Sequence, residues 1–90
     1  MKTLNPQHIG LILGTFFAVV HLIWVTMVAL GFAQWYLDFV ISNHFVNNPF
    51  TIQAFDPVKA LFLVAMTFIV GFVFGYIFAF IWNRVHDMVK

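Results

Sequence analysis

The chain has no cysteine, so disulfides, thiolate metal sites and cysteine nucleophiles are all excluded. It is also poor in charge. Only 8% of its residues are Asp, Glu, Lys or Arg, against about 25% in a soluble domain, too few to cover a surface in water. Four Lys and Arg stand against three Asp and Glu, and a net charge of +1 gives no nucleic-acid footprint. No basic cluster forms a lipid-headgroup patch. No P-loop, Rossmann glycine pattern, serine elbow or HExxH is present. Asp38 and Asp56 lack a partner that would make an acid–base pair. These absences predict a chain that is not an enzyme and carries no cofactor.

What remains is apolar: 63% hydrophobic, with a mean hydropathy of +0.99. The 90 residues make one domain, 1–90, and two segments of it are long enough to cross a hydrocarbon core. Residues 9–31 carry no formal charge and one strongly polar side chain, His21. That is roughly 34 Å of helix. Residues 60–82 carry nothing more polar than Thr67 and Tyr76. The helix starts are marked alike, by Asn5-Pro6 and Asp56-Pro57, a capping side chain before a proline that has no N–H to leave unpaired. The spans are therefore set at about 9–31 and 58–83.

Lys2 flanks the first span, Arg84 and Lys90 follow the second, and the connection holds only Lys59. The positive-inside rule then predicts both termini in the cytoplasm. A cleaved signal peptide is the rival for the first span, with Gly31-Phe32-Ala33 as its small-x-small site. The apolar run is longer than the 7–15 residues or so of a signal peptide, which favours a retained helix.

Both spans carry small residues every fourth position: Gly10, Gly14 and Ala18 in the first, Gly71, Gly75 and Ala79 in the second. A glycine inside a helix costs about 1 kcal/mol relative to alanine, so the strips need a reason. In lipid, helices gain little by hiding leucine and associate by close packing, which small residues at this spacing permit. An antiparallel hairpin would set Gly10 against Ala79, Gly14 against Gly75 and Ala18 against Gly71. The strips would then be a seam within one chain, with a seam between subunits as the alternative.

After Gly31, the apolar residues Phe32, Trp35, Tyr36, Phe39 and Val40 follow helical spacing, with Gln34, Asp38 and Ser42 on a narrow polar side. This predicts an amphipathic helix over about 32–44, anchored at an interface by Trp35 and Tyr36, with Gly31 as the bend. Trp82 and Arg84 are the matching anchors at the other side. Asn47-Asn48-Pro49 breaks the helix, and 45–56 is the connection.

His21 is the main candidate for chemistry, because an ionisable group inside a span is a functional-site hypothesis. The expected register puts it opposite Thr67. A neutral imidazole bonded to Thr67 or to a backbone carbonyl is the simpler reading. As a pore, His21 would line the path with Thr26, Thr67 and Gln34. His8 and His86, near Asp87 and Arg84, could hold a metal, but solvated histidines near helix ends are ordinary, and His44 is read the same way. The thirteen phenylalanines suit lipid-facing or packed positions; a haem held by His21 from two protomers is the competing thought.

The segments LNPQHIGLILG at 4–14 and GFVFGYIFAFIWNR at 71–84 resemble a family of small, uncharacterised two-span bacterial inner-membrane proteins. The resemblance implies a two-helix hairpin in a prokaryotic cytoplasmic membrane and brings no activity with it. The expected fold is an all-α transmembrane hairpin with an amphipathic extension of helix 1. The expected function is a structural or accessory module, homo-oligomeric or part of a larger membrane complex, with the lipid bilayer as its surroundings. A homo-oligomeric ion or proton pore through His21 and a holin-like membrane-permeabilising protein are the alternatives.

Overall fold

The computed structural model describes residues 3–89; Lys2 and Lys90, which enter the charge argument for orientation, lie outside the described residues. Helix α1 is Pro6–Leu30, α2 is Ala33–Ser42 and α3 is Pro57–Met88, and no strand occurs among the described residues. Both α1 and α3 are long and apolar enough to cross a membrane. They run antiparallel and pack on each other along their length.

The helix starts follow from the two capping pairs. Asn5 Oδ1 accepts the Gln7 and His8 amides at 3.0 and 3.3 Å, with Pro6 at the first helical position. Asp56 Oδ1 does the same for Val58 and Lys59 at 3.0 and 3.4 Å, ahead of Pro57. Helix α1 stops at Gly31, whose φ of 92° is left-handed. Its amide reaches the Val28 carbonyl and the Phe32 amide reaches Met27, a Schellman closure that suits glycine at that position. The amphipathic segment is thus a separate helix after a break. Helix α3 continues past the expected end near 83 to Met88 and, at 32 residues, is roughly 48 Å long. The chain measures 51 × 33 × 15 Å. Two helices side by side account for roughly 20–24 Å of width, so α2 and the connection extend sideways from the pair.

The seam is made of residues without side chains. Gly10, Gly14, Gly71, Gly75 and Ala79 are buried, Ala79 completely, and Ala18 is half-buried. A Cβ added at Gly75 would lie 2.7 Å from the Ile9 carbonyl oxygen and 2.9 Å from Gly10 Cα. At Gly71 it would meet the Leu13 oxygen at 2.7 Å and Gly14 Cα at 2.9 Å. At Gly10 and Gly14 it would meet the Phe72 and Phe68 oxygens at 2.9 and 2.8 Å. Backbone touches backbone.

The register differs from the expected one by a turn. Gly10 lies against Gly75 and Gly14 against Gly71, rather than against Ala79 and Gly75. Ala18 then comes level with Thr67, and Ala79 with the first turn of α1. A four-residue repeat maps onto itself after a four-residue slip, so the strips alone cannot choose between the two. The observed register makes two glycine–glycine contacts where the expected one made one. It also permits a clamp: Leu4 N–H donates to Asn83 Oδ1, and Asn83 Nδ2 donates to the Leu4 carbonyl, both at 2.8 Å. The Asn83 amide pairs with Leu4 as another strand's backbone would.

Replacing Gly75 with Ala is expected to cost about 1–3 kcal/mol, because the obstructing atoms are backbone and only separation of the helices relieves them. Gly31→Ala has open space around it and is expected to cost about 1–2 kcal/mol through its left-handed φ alone. Denaturant titration in detergent, paired with a crosslink reporting α1–α3 separation, distinguishes the two. Gly75→Ala should weaken the crosslink and Gly31→Ala should not; equal behaviour would refute the backbone-contact account.

Candidate functional site

Each polar side chain expected to line a path has a partner. His21 is half-buried on the side of α1 that faces α3, and its Nδ1 lies 2.8 Å from the Phe17 carbonyl oxygen. A carbonyl only accepts, so Nδ1 carries a proton and donates it to Phe17. Thr26 Oγ1 donates to the Leu22 carbonyl at 2.8 Å, and Thr67 Oγ1 to that of Val64 at 2.9 Å. Returning a hydroxyl to its own helix satisfies it where the surroundings cannot. The one-turn change in register brings His21 level with Val64, so its bond goes to the backbone rather than to Thr67. Thr26 is exposed, and five residues at 3.6 per turn put it about 140° around α1 from His21. Gln34 belongs to α2. The structure does not bring His21, Thr26, Thr67 and Gln34 together on one surface.

His44 and His86 repeat the His21 arrangement, with Nδ1 on the Val40 and Trp82 carbonyls at 2.6 and 2.8 Å. His86 also stacks on the Trp82 ring at 4.3 Å. His8 is exposed near the start of α1. Among the described residues, no three His, Asp or Glu side chains gather as a metal site.

Polar interactions concentrate instead at the loop end of the hairpin. Gln34 Oε1 accepts the Ile52 amide at 2.7 Å, and its Nε2 donates to Asp38 Oδ1 at 2.9 Å and the Phe50 carbonyl at 3.2 Å. Asn48 Nδ2 donates to Asp38 Oδ1 at 2.6 Å, while Asn48 Oδ1 accepts the Phe50 amide at 2.9 Å. The Asn48 bond, and after it the Gln34 bond, holds the Asp38 carboxyl below its usual value of 3.8. Residues 48–52 are thereby strapped along the polar side of α2.

The strap changes what α2 presents. Its polar side is occupied, and Phe32, Trp35, Tyr36 and Phe39 are all exposed. The Trp35 and Phe39 rings stack at 5.9 Å. Helix α2 closes on Phe45, whose φ of 63° is left-handed and whose side chain is 99% exposed. Trp82 and Arg84 also face outward, in the penultimate turns of α3.

Beyond the glycine seam, the loop-end turns of the two long helices and the connection 51–56 line one space. Between them lies a half-open groove of about 460 Å³ walled by Trp24, Val25, Val28, Leu63 and Met66 and roofed by Phe55. Past Val28 it continues under the strap, through about 370 Å³ of mixed polarity, toward Gly31 and Gln34. Lys59 stands at its mouth, its Nζ donating to Gln53 Oε1 at 3.0 Å. The composition of 9–31 and 60–82 does not announce this groove. Its sequence signals are a Gln-x-x-x-Asp pair that ties the connection down and the end of the small-residue strips at Ala18 and Gly71.

Compared with family models, curated proteins and solved structures, the chain matches none.

Asp38's depressed pKa means its contribution is fully present above 3.8 and is lost as pH falls through the lower folded-state value. The protection of the Ile52 amide, taken as its exchange rate relative to the intrinsic rate at the same pH, should therefore be high at neutral pH and fall in acid, and Asp38→Asn should remove the acid step. An unchanged acid profile in Asp38→Asn would separate Asp38 from strap closure. Phe45→Gly should raise stability by about 1–2 kcal/mol by relieving the left-handed φ, measured by the same denaturant titration.

Proposed function

We propose that the chain is a non-catalytic integral membrane module, a two-span hairpin that completes its packing against further helices, either copies of itself or subunits of a larger membrane complex. One observation carries the reading. The residues fully buried between α1 and α3 are glycines and alanine, the Phe17, Phe68 and Phe72 rings lie half-buried along the seam, and most of the other large apolar side chains of the two helices are exposed. The long-helix surfaces suit lipid and neighbouring helices equally, because tails and leucine are alike in polarity and shape decides association. The exposed aromatic side of α2 adds an interfacial anchor of the kind Trp and Tyr provide. Satisfaction of His21, Thr26 and Thr67 by their own helices also favours a packing role over a conducting one. The proposal includes a prokaryotic cytoplasmic membrane with both termini inside, on the charge distribution and the family resemblance.

Native mass spectrometry of the protein released from lipid nanodiscs tests the assembly. A defined complex, with itself or with a co-purifying membrane subunit, is expected. A strict monomer without partner would sink it. A closed ring of four or more subunits whose conductance changes its pH dependence in His21→Ala would replace it with a pore.

A further inference from the structure

We propose that the groove at the loop end holds one acyl chain of a membrane phospholipid, with the lipid phosphate at Lys59. This rests on the membrane reading above. The groove spans the last turns of α1 and the first turns of α3, so it starts within the span and ends at the connection. At that depth an unfilled apolar space loses its dispersion contacts, and the surrounding medium offers hydrocarbon to fill it. A neighbouring helix is too wide for a groove of about 460 Å³ roofed by the connection at Phe55, whereas a single chain can thread it.

The shape is that of an amphiphile. Trp24, Val25, Val28, Leu63 and Met66 make the deep part apolar, and polarity rises toward the strap. The charges at the mouth are arranged to suit a phosphate. The Asp56 carboxylate is turned to the α3 amides of Val58 and Lys59. Among the described residues, the Lys59 ammonium is held by the neutral Gln53 amide alone, which leaves its further donors for an anion. Lys59 is the one Lys or Arg between Thr3 and Asn83, so a phosphate at this end of the hairpin has a single cation to meet. Gln53 positions that ammonium over the groove.

The test reconstitutes the full chain in bilayers of phosphatidylethanolamine and phosphatidylglycerol and counts phospholipids retained on release in native mass spectrometry. One retained phospholipid per chain is expected. Lys59→Ala should reduce retention about tenfold, Lys59→Arg should restore it, and Ala60→Phe, which fills the groove, should abolish it. Brominated acyl chains supply a second readout: quenching of Trp24, in a Trp35→Phe, Trp82→Phe background, should fall in Ala60→Phe. Retention unchanged by Lys59→Ala and Ala60→Phe would overturn the proposal and identify ordinary annular lipid. A chain that stays in the membrane through alkaline extraction yet retains no phospholipid would overturn the groove site alone. A chain extracted by alkali would overturn the membrane reading beneath it.

Discussion

The hairpin depends on backbone meeting backbone. Where Gly10, Gly14, Gly71 and Gly75 have no Cβ, the carbonyl oxygens of Phe72, Phe68, Leu13 and Ile9 occupy the space. No side chain could be inserted there without parting the helices. This contact decides what is left over. With the closest approach made by residues that have no side chains, the phenylalanines, valines and isoleucines must lie on the flanks or outside. The interior of the pair is therefore dense and very small.

The polar groups obey the same economy. Each span carries few of them, and His21, Thr26 and Thr67 are folded back on their own helices, so these three need no interhelical hydrogen bond in the middle of the seam. Specific polar pairing is moved to the two ends. At the terminal end the Asn83 amide pairs with Leu4 in both directions. At the loop end Gln34, Asp38 and Asn48 bind the connection to α2. Packing in the middle supplies proximity, and the ends supply register. A repeat of small residues every four positions could not fix register by itself.

Much of this was legible before any coordinates. The two spans, the capped starts at Asn5-Pro6 and Asp56-Pro57, and the break at Gly31 are local properties, each carried by a few adjacent residues. The register was misread because it is set by a residue with no local signature: Asn83 is an ordinary amide until Leu4 comes within reach. The strap lacks a local signature for the same reason: Gln34 and Asp38 at i, i+4 mark only a polar side until 48–52 comes within reach and they become its anchors. The groove is the least legible feature, since it is a gap between elements, and its two signals, the Gln34–Asp38 pair and the ends of the small-residue strips, do not by themselves name a cavity.

The asymmetry of the hairpin has a mechanical meaning. The long helices meet backbone to backbone at Gly10, Gly14, Gly71 and Gly75, while α2 and the connection add width at the loop end. Set across a bilayer as proposed, the chain claims less lateral area in the leaflet nearer its termini than in the one nearer its loop. Such an inclusion is a cone rather than a cylinder. Many copies in one patch would favour bending toward the narrow side, and a curved membrane would in turn concentrate them.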